Sequence, residues 1–442
     1  MLLLHSSASR LRVASRRALS SVAAARRDAL LFTPGPLTTS LATKAAMLRD
    51  VGSRDAAFLR VVAEVRERLL ALGGVSAVAA APSLPSPSPS PSPSLILSPP
   101  PPPSPSAAAY ECVITQGSGT FGVESVLGSA VPRRERGGRL LVASNGAYGE
   151  RMAKIARVLD IDVAVAAFPE RGPVDVAAVA ARVREARAAE GRPFSHVAVV
   201  HHETTAGVLN DVPALGAALA AADPRCALIV DSMSAFGAYP LDLRAANVAF
   251  LVSSSNKCIE GVPGFSFALC ERTQLEQCGA PGQARSLALD LHAQWAGLHA
   301  TGEFRFTPPV QALLAFRQAL AELEAEGGPP GRLARYEANA RALVRGMGAL
   351  GFAPYVPAPH QGCIITTFLV PDDRRFVFRD VYAALERRGF VIYPGKTTKA
   401  ESFRLGSIGR LFPEDVDALV AAFADVLRQA GVRLPVQQKR ED

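Results

Sequence analysis

The chain has 442 residues, 49% hydrophobic and 20% charged, an ordinary composition for a soluble globular enzyme with room for two domains. Of its net charge of +8, +5 lies in residues 1–30, where Arg10, Arg12, Arg16, Arg17, Arg26 and Arg27 face Asp28 alone. The +3 that remains makes no nucleic-acid footprint, and no apolar run reaches the length of a membrane span. Six cysteines without a CxxC or a His-paired spacing suit free thiols in a reducing compartment, and no metal site is expected.

Residues 1–30 are rich in Arg, Ser, Ala and Leu and nearly free of acids, the composition of an organelle transit peptide. The apolar Met1–Leu4 is too short for a secretory core, and mitochondrial import is the expectation, with a plastid or the cytoplasm as the alternatives. Leu31–Ser40 (LFTPGPLTTS) opens the folded part: Pro34 and Pro36 forbid helix, and Thr38 to Ser40 can cap the next one. Helical spacing follows over Leu41–Leu48 and Ala56–Leu72. Pro82–Ser106 is a Pro/Ser tract that cannot build a core, and it reads as a disordered, semi-stiff insertion.

Strands then alternate with helices. Strands are expected near Glu111–Thr115, Leu140–Ala143, Asp162–Ala166, His196–Val200, Ala227–Val230, Val248–Val252 and Phe265–Leu269. Helices are expected near Thr120–Gly128, Tyr148–Leu159, Val174–Ala189, Val212–Ala222 and Leu243–Ala246. This is an α/β pattern with a mostly parallel sheet, the large domain running over 31–303. Helices near Pro308–Glu326 and Leu333–Leu350 lead into a smaller C-terminal α+β domain over 304–432.

Phe250–Phe265 (FLVSSSNKCIEGVPGF) places one amine, Lys257, just past a buried strand, and Ala227–Gly237 places Asp231 directly after another. Ligand sites of open α/β sheets lie at such strand ends. A lysine and an aspartate at neighbouring ends are what pyridoxal 5'-phosphate needs: an amine for the Schiff base and a carboxylate for the ring nitrogen. Either residue alone is more commonly a solvated loop or turn residue. A third element joins them: Gln116–Glu124 (QGSGTFGVE) follows a strand and opens a helix, where small residues and free N–H groups suit a phosphate. Its spacing is not that of a dinucleotide fingerprint.

The chain resembles the class V aminotransferases of the fold-type I pyridoxal-phosphate group, closest to the branch that transaminates 2-aminoethylphosphonate with pyruvate. The likeness runs from Leu31 to Leu427 and is carried by LFTPGPLTTS, QGSGTFGVESVLGSAVP, NGAYGERMAKIA, HHETTAGVLND, VDSMSAFG, SSSNKCIEGVPGF, ARSLALDL, FRFTPPV, FVIYPGK and FRLGSIG. It implies that Lys257 is the covalent lysine and proton carrier and Asp231 the partner of the ring nitrogen. It implies that Ser118, Gly119 and Thr120 hold the cofactor phosphate, helped by Asn256 and by Thr307 of a neighbouring subunit in a homodimer. Tyr148 would stack on the cofactor ring, Thr205 would lie near its hydroxyl, and Arg404 would clamp the substrate's acidic group, with Arg410 ranked second. The implied reaction gives phosphonoacetaldehyde and L-alanine. An alanine– or serine–glyoxylate transaminase and a cysteine desulfurase-like lyase using Cys363 are the alternatives.

Overall fold

The computed structural model describes residues 28–75, 109–188, 191–397 and 400–438. The leader through residue 27 and the Pro/Ser tract lie outside the described residues. Seven apolar runs form one sheet: β1 Tyr110–Gln116, β2 Leu140–Ser144, β3 Val163–Ala167, β4 His196–Val200, β5 Ala227–Asp231, β6 Val248–Ser254 and β7 Phe265–Glu271. The order across it is β1-β7-β6-β5-β4-β2-β3. The pairs β2–β3, β2–β4, β4–β5 and β5–β6 are parallel, while β7 is antiparallel to both β1 and β6. Reversing twice leaves β1 parallel to the remainder, so the carboxyl ends of β1, β2, β4, β5 and β6 share one edge. The order also turns back between β4 and β2, the place where such sheets open a crevice.

Strands buried on both faces read as continuous apolar runs, and Leu140–Ala143 and Val197–Val200 are buried throughout. Helices α1 Ala56–Leu72, α2 Gly119–Ala130, α3 Ala147–Val158, α4 Val176–Ala188 and α5 Val212–Ala222 cover the sheet. The expected helix over Leu243–Ala246 is instead a turn. Backbone bonds from Ala246 N to Asp242 O, Asn247 N to Arg244 O and Val248 N to Leu243 O close it, and Asn247 at φ 49° reverses the chain before a second turn can form. α6 Val310–Ala325 joins the same core through Val310, Leu313, Phe316, Leu320 and Leu323.

A second core lies around α7 Gly328–Ala349, a three-stranded antiparallel sheet and α8 Pro413–Gln429. The sheet runs β8 Ile365–Leu369, β10 Ser402–Gly406, β9 Tyr393–Pro394. Phe403 is its centre, with the rings of Phe352, Phe368, Phe376 and Phe423 within 5.8 Å of its centroid. Leu30–Leu31 pairs with Phe390–Val391, and Phe32 is buried in this second core, so the opening segment crosses to it. Ser40 caps Leu41–Ala45 by accepting from Thr43 N at 2.9 Å. Among the described residues no helix is long and apolar enough to cross a membrane.

Candidate active site

Five strand ends deliver the chemistry to one edge. β1 ends in Gln116, and the chain turns through Gly117 to Ser118, whose extended backbone caps α2. The Ser118 hydroxyl makes no bond to its own helix, so it and the N–H groups of Gly119 and Thr120 suit an anion, while the Phe121 amide already donates to Ser118 O at 2.9 Å. β5 ends in Asp231, which is buried and accepts from Met233 N at 3.0 Å. Burial pushes its carboxyl up to about 6, and nearby Glu203 adds to this against Arg151 and Lys257. β6 continues through Ser255 and Asn256 to Lys257. Burial draws the Lys257 ammonium below its ordinary value, opposed by Tyr148, Cys258 and Asp231.

A small cavity lies between the ends of β1 and β5 and the start of α3. Gly119 and Thr120 line one part, Asp231 and Met233 another, and Tyr148 and Arg151 a third. Its lining carries the chemistry that pyridoxal phosphate needs: an anion cradle, a buried carboxylate that accepts from Met233 N, and an aromatic ring. A methyl group on Gly119 would come within 2.4 Å of Met233 Sδ, so the glycine keeps the cradle against that wall.

Thr205, after β4, accepts from Ala147 N at 2.9 Å and donates to Glu203 Oε1 at 2.6 Å. Glu203 is fully buried and also accepts from Thr205 N at 3.0 Å, Tyr148 N at 3.2 Å and Gly149 N at 3.3 Å. Burial raises its carboxyl despite those donors. One carboxylate thus fixes the start of α3, which carries Tyr148 and Arg151. Burial pushes the Tyr148 phenol up, but Lys396, Thr204, Lys257 and Arg404 outweigh it and leave the phenol below its ordinary value.

Neighbours on a strand face opposite ways. Phe403 points into the second core, so Arg404 points the other way, toward the cleft. Arg404 is 3% exposed, donates from Nε to Pro394 O at 2.9 Å, and from a terminal nitrogen to Thr204 O at 2.8 Å. Arg410 is exposed and lies over the Phe412 ring, away from these groups. Asn256 is half-buried and accepts from Ser254 Oγ at 3.1 Å. Thr307 is exposed, and its carbonyl accepts from Gln116 Nε2 at 3.0 Å, beside the anion loop of its own chain.

The structure therefore gathers Ser118, Gly119, Thr120, Tyr148, Thr205, Asp231, Lys257 and Arg404 at one edge and puts Thr307 at its rim. Sequence reasoning missed Gly35, Arg151, Glu203 and Lys396, although each lies within a quoted motif. Lys396 Nζ stands 3.8 Å from the centre of the Tyr148 ring, and Arg151 reaches the same ring at 4.8 Å. Cys363 accepts from the Tyr239 hydroxyl at 3.2 Å, and burial pushes its thiol up to about 11.

The class-V aminotransferase family model matches residues 106–400. A 2-aminoethylphosphonate–pyruvate transaminase of Syntrophobacter fumaroxidans is 44% identical over 404 residues, 91% of this chain and 97% of its own length. The transaminase of the same name from Burkholderia thailandensis is 43% identical over 409 residues, 92% of this chain and 99% of its own. The fold matches that of pyridoxamine–pyruvate aminotransferase from Mesorhizobium loti, with a TM-score of 0.75 at 21% identity over 92% of this chain and 94% of that one. These relatives correct the expectation of mitochondrial import: they come from bacteria, which have no mitochondria, and their likeness lends an import leader no support. The chain belongs to the class-V aminotransferases, enzymes of the fold-type I group that work with pyridoxal phosphate.

Proposed function

We propose that this aminotransferase takes its amino group from 2-aminoethylphosphonate and passes it to pyruvate, releasing phosphonoacetaldehyde and L-alanine. The observation that carries the choice of donor is the 44% identity, over 91% of this chain, to a transaminase of that name. The site agrees with it, since a buried arginine fork faces a cleft whose substrates are both anions.

Pyridoxal phosphate, when bound, supplies the sink for the electron pair left on the substrate carbon that bears nitrogen. Ser118, Gly119 and Thr120 would hold its phosphate, with Asn256 and a partner's Thr307 in support. Tyr148 would face its ring and Thr205 its hydroxyl, and Asp231 would keep a proton on its ring nitrogen. Lys257 Nζ would take the proton from the substrate carbon and carry it across the cleft; its lowered pKa favours the free amine that this needs. Arg404 would hold the phosphonate in one half-reaction and the pyruvate carboxylate in the other.

Two copies would make the working enzyme. Phe121 and Phe306 are 50% and 46% exposed on either side of the anion loop, which supports a second copy covering it. We place the boundary of the small domain near 328, because α6 belongs to the first core, and we return Phe32 to the small domain. A lyase using Cys363 is disfavoured by its high thiol pKa and its bond to Tyr239.

The test is a half-reaction spectrum. Adding 2-aminoethylphosphonate should bleach the absorbance of the lysine-bound cofactor, while serine at the same concentration should not. Bleaching by serine alone would transfer the assignment to the glyoxylate-type transaminases.

A further inference from the structure

The cleft contains a cation that the reaction above leaves unused. Lys396 follows β9 in the run YPGK, and its Nζ lies 3.8 Å from the centre of the Tyr148 ring. Arg404 shares a side-chain hydrogen bond with the same tyrosine and lies over Tyr393 at 5.1 Å. Two cations from the small sheet therefore converge on one aromatic residue at the substrate side of the site. Among the described residues no carboxylate pairs with Lys396. An aromatic face holds an ammonium only weakly, and an anion of the substrate can take it.

Arg404 is already partly committed, through Nε to Pro394 O, through one terminal nitrogen to Thr204 O, and through its bond with Tyr148. The remaining N–H groups of the guanidinium, with the one shared with Tyr148 released to substrate, suffice for the two oxygens and single charge of a carboxylate. A phosphonate carries three oxygens and loses its second proton near neutral pH. One guanidinium edge leaves that extra oxygen and charge without a partner, and an ammonium is suited to supply it as a point charge. We propose that Lys396 is a specificity-determining residue: with Arg404 it forms a two-cation site for the dianionic phosphonate of the amino donor. A carboxylate substrate engages Arg404 and leaves Lys396 on Tyr148. This rests on the phosphonate-donor reading and deepens it.

The test uses the intact holoenzyme and two unreactive probes, ethylphosphonate and propionate, as competitors of its spectral conversion by L-alanine. The quantity read is the ratio of the propionate to the ethylphosphonate inhibition constant. Lys396→Gln should lower that ratio tenfold or more, and Lys396→Arg should restore most of it. A ratio that stays within twofold in Lys396→Gln, or that Lys396→Arg does not restore, overturns the proposal. Conversion of the wild type by 2-aminoethylphosphonate is followed alongside. If that conversion occurs and the ratio does not move, the role of Lys396 fails alone. If the ratio moves and that conversion is absent, the phosphonate site stands and the donor assignment fails.

Discussion

Lys257 Nζ donates to the carbonyl oxygen of Pro34 at 2.5 Å, tying the catalytic turn to a segment 223 residues earlier. Gly35 makes this approach possible: its φ is +121°, and a methyl group there would come within 2.6 Å of Lys257 Nζ. A side chain at such a φ is strained whatever the space. Gly35→Ala should cost about 1–3 kcal/mol and displace the lysine. Slower recovery of the bound-cofactor absorbance on adding pyridoxal phosphate to the stripped protein is the sign to look for; unaltered loading and stability would contradict the close approach.

Arg404→Ala removes the fork that both substrates use. Hydrogen bonds to charged groups are worth about 1.5–3 kcal/mol, so each half-reaction should slow roughly ten- to a hundredfold. Single-turnover rates with 2-aminoethylphosphonate and with pyruvate measure the two halves separately. A loss confined to one of them would refute the shared clamp.

Glu203→Gln keeps the size of the side chain but puts an amide NH2 where an oxygen accepts. Oε1 receives two donors from Thr205 and Oε2 receives the Tyr148 and Gly149 amides, so whichever way the amide turns, donors meet donors. The cost should be about 1–3 kcal/mol in unfolding free energy, with weaker cofactor affinity as α3 loosens. Urea unfolding and cofactor titration are the measurements, and a variant of wild-type stability would show that Glu203 does not anchor α3.

Asp231 predicts a pH effect on the cofactor-free protein. Its carboxyl rises from 3.8 unfolded to about 6 folded, so between those values the native state keeps a proton that the unfolded chain has lost. Stability from this group is therefore lost as pH rises through that window and stays lower above it. Asp231→Asn keeps an acceptor for Met233 N and removes the ionisation, so it should stabilise the apoprotein by about 3 kcal/mol at pH 8. The gain should shrink at pH 5. Urea midpoints of the two proteins at both pH values decide it, and a less stable variant at pH 8 would contradict the burial argument. His196 and His201, both pushed down to about 4 by burial, act in the opposite sense, losing stability as pH falls below about 6.5.

Much of this was legible in the residues. The seven strands were marked by apolar runs that stop at polar or glycine-rich turns, and Lys257, Asp231 and Ser118 were visible because each follows such a run. What was hidden depends on contacts across the chain. Glu203 sits among polar residues in HHETT, and nothing local announces that four donors from two segments converge on it. Lys396 gains meaning only when β9 brings it over Tyr148, 248 residues away in number. Leu243–Ala246 had helical spacing, but Asn247 at positive φ ended it after one turn. Arg410 illustrates the opposite limit: a motif places a residue in the chain without saying that it will lie exposed over the Phe412 ring.

Reduction of the holoenzyme with borohydride, followed by mass mapping of its peptides, tests directly whether Lys257 is the lysine that holds the cofactor. A pyridoxyl group is expected on Lys257 and on no other lysine, and it should be absent in Lys257→Ala. A pyridoxyl group fixed to Lys396 or elsewhere, with Lys257 unmodified, would contradict it.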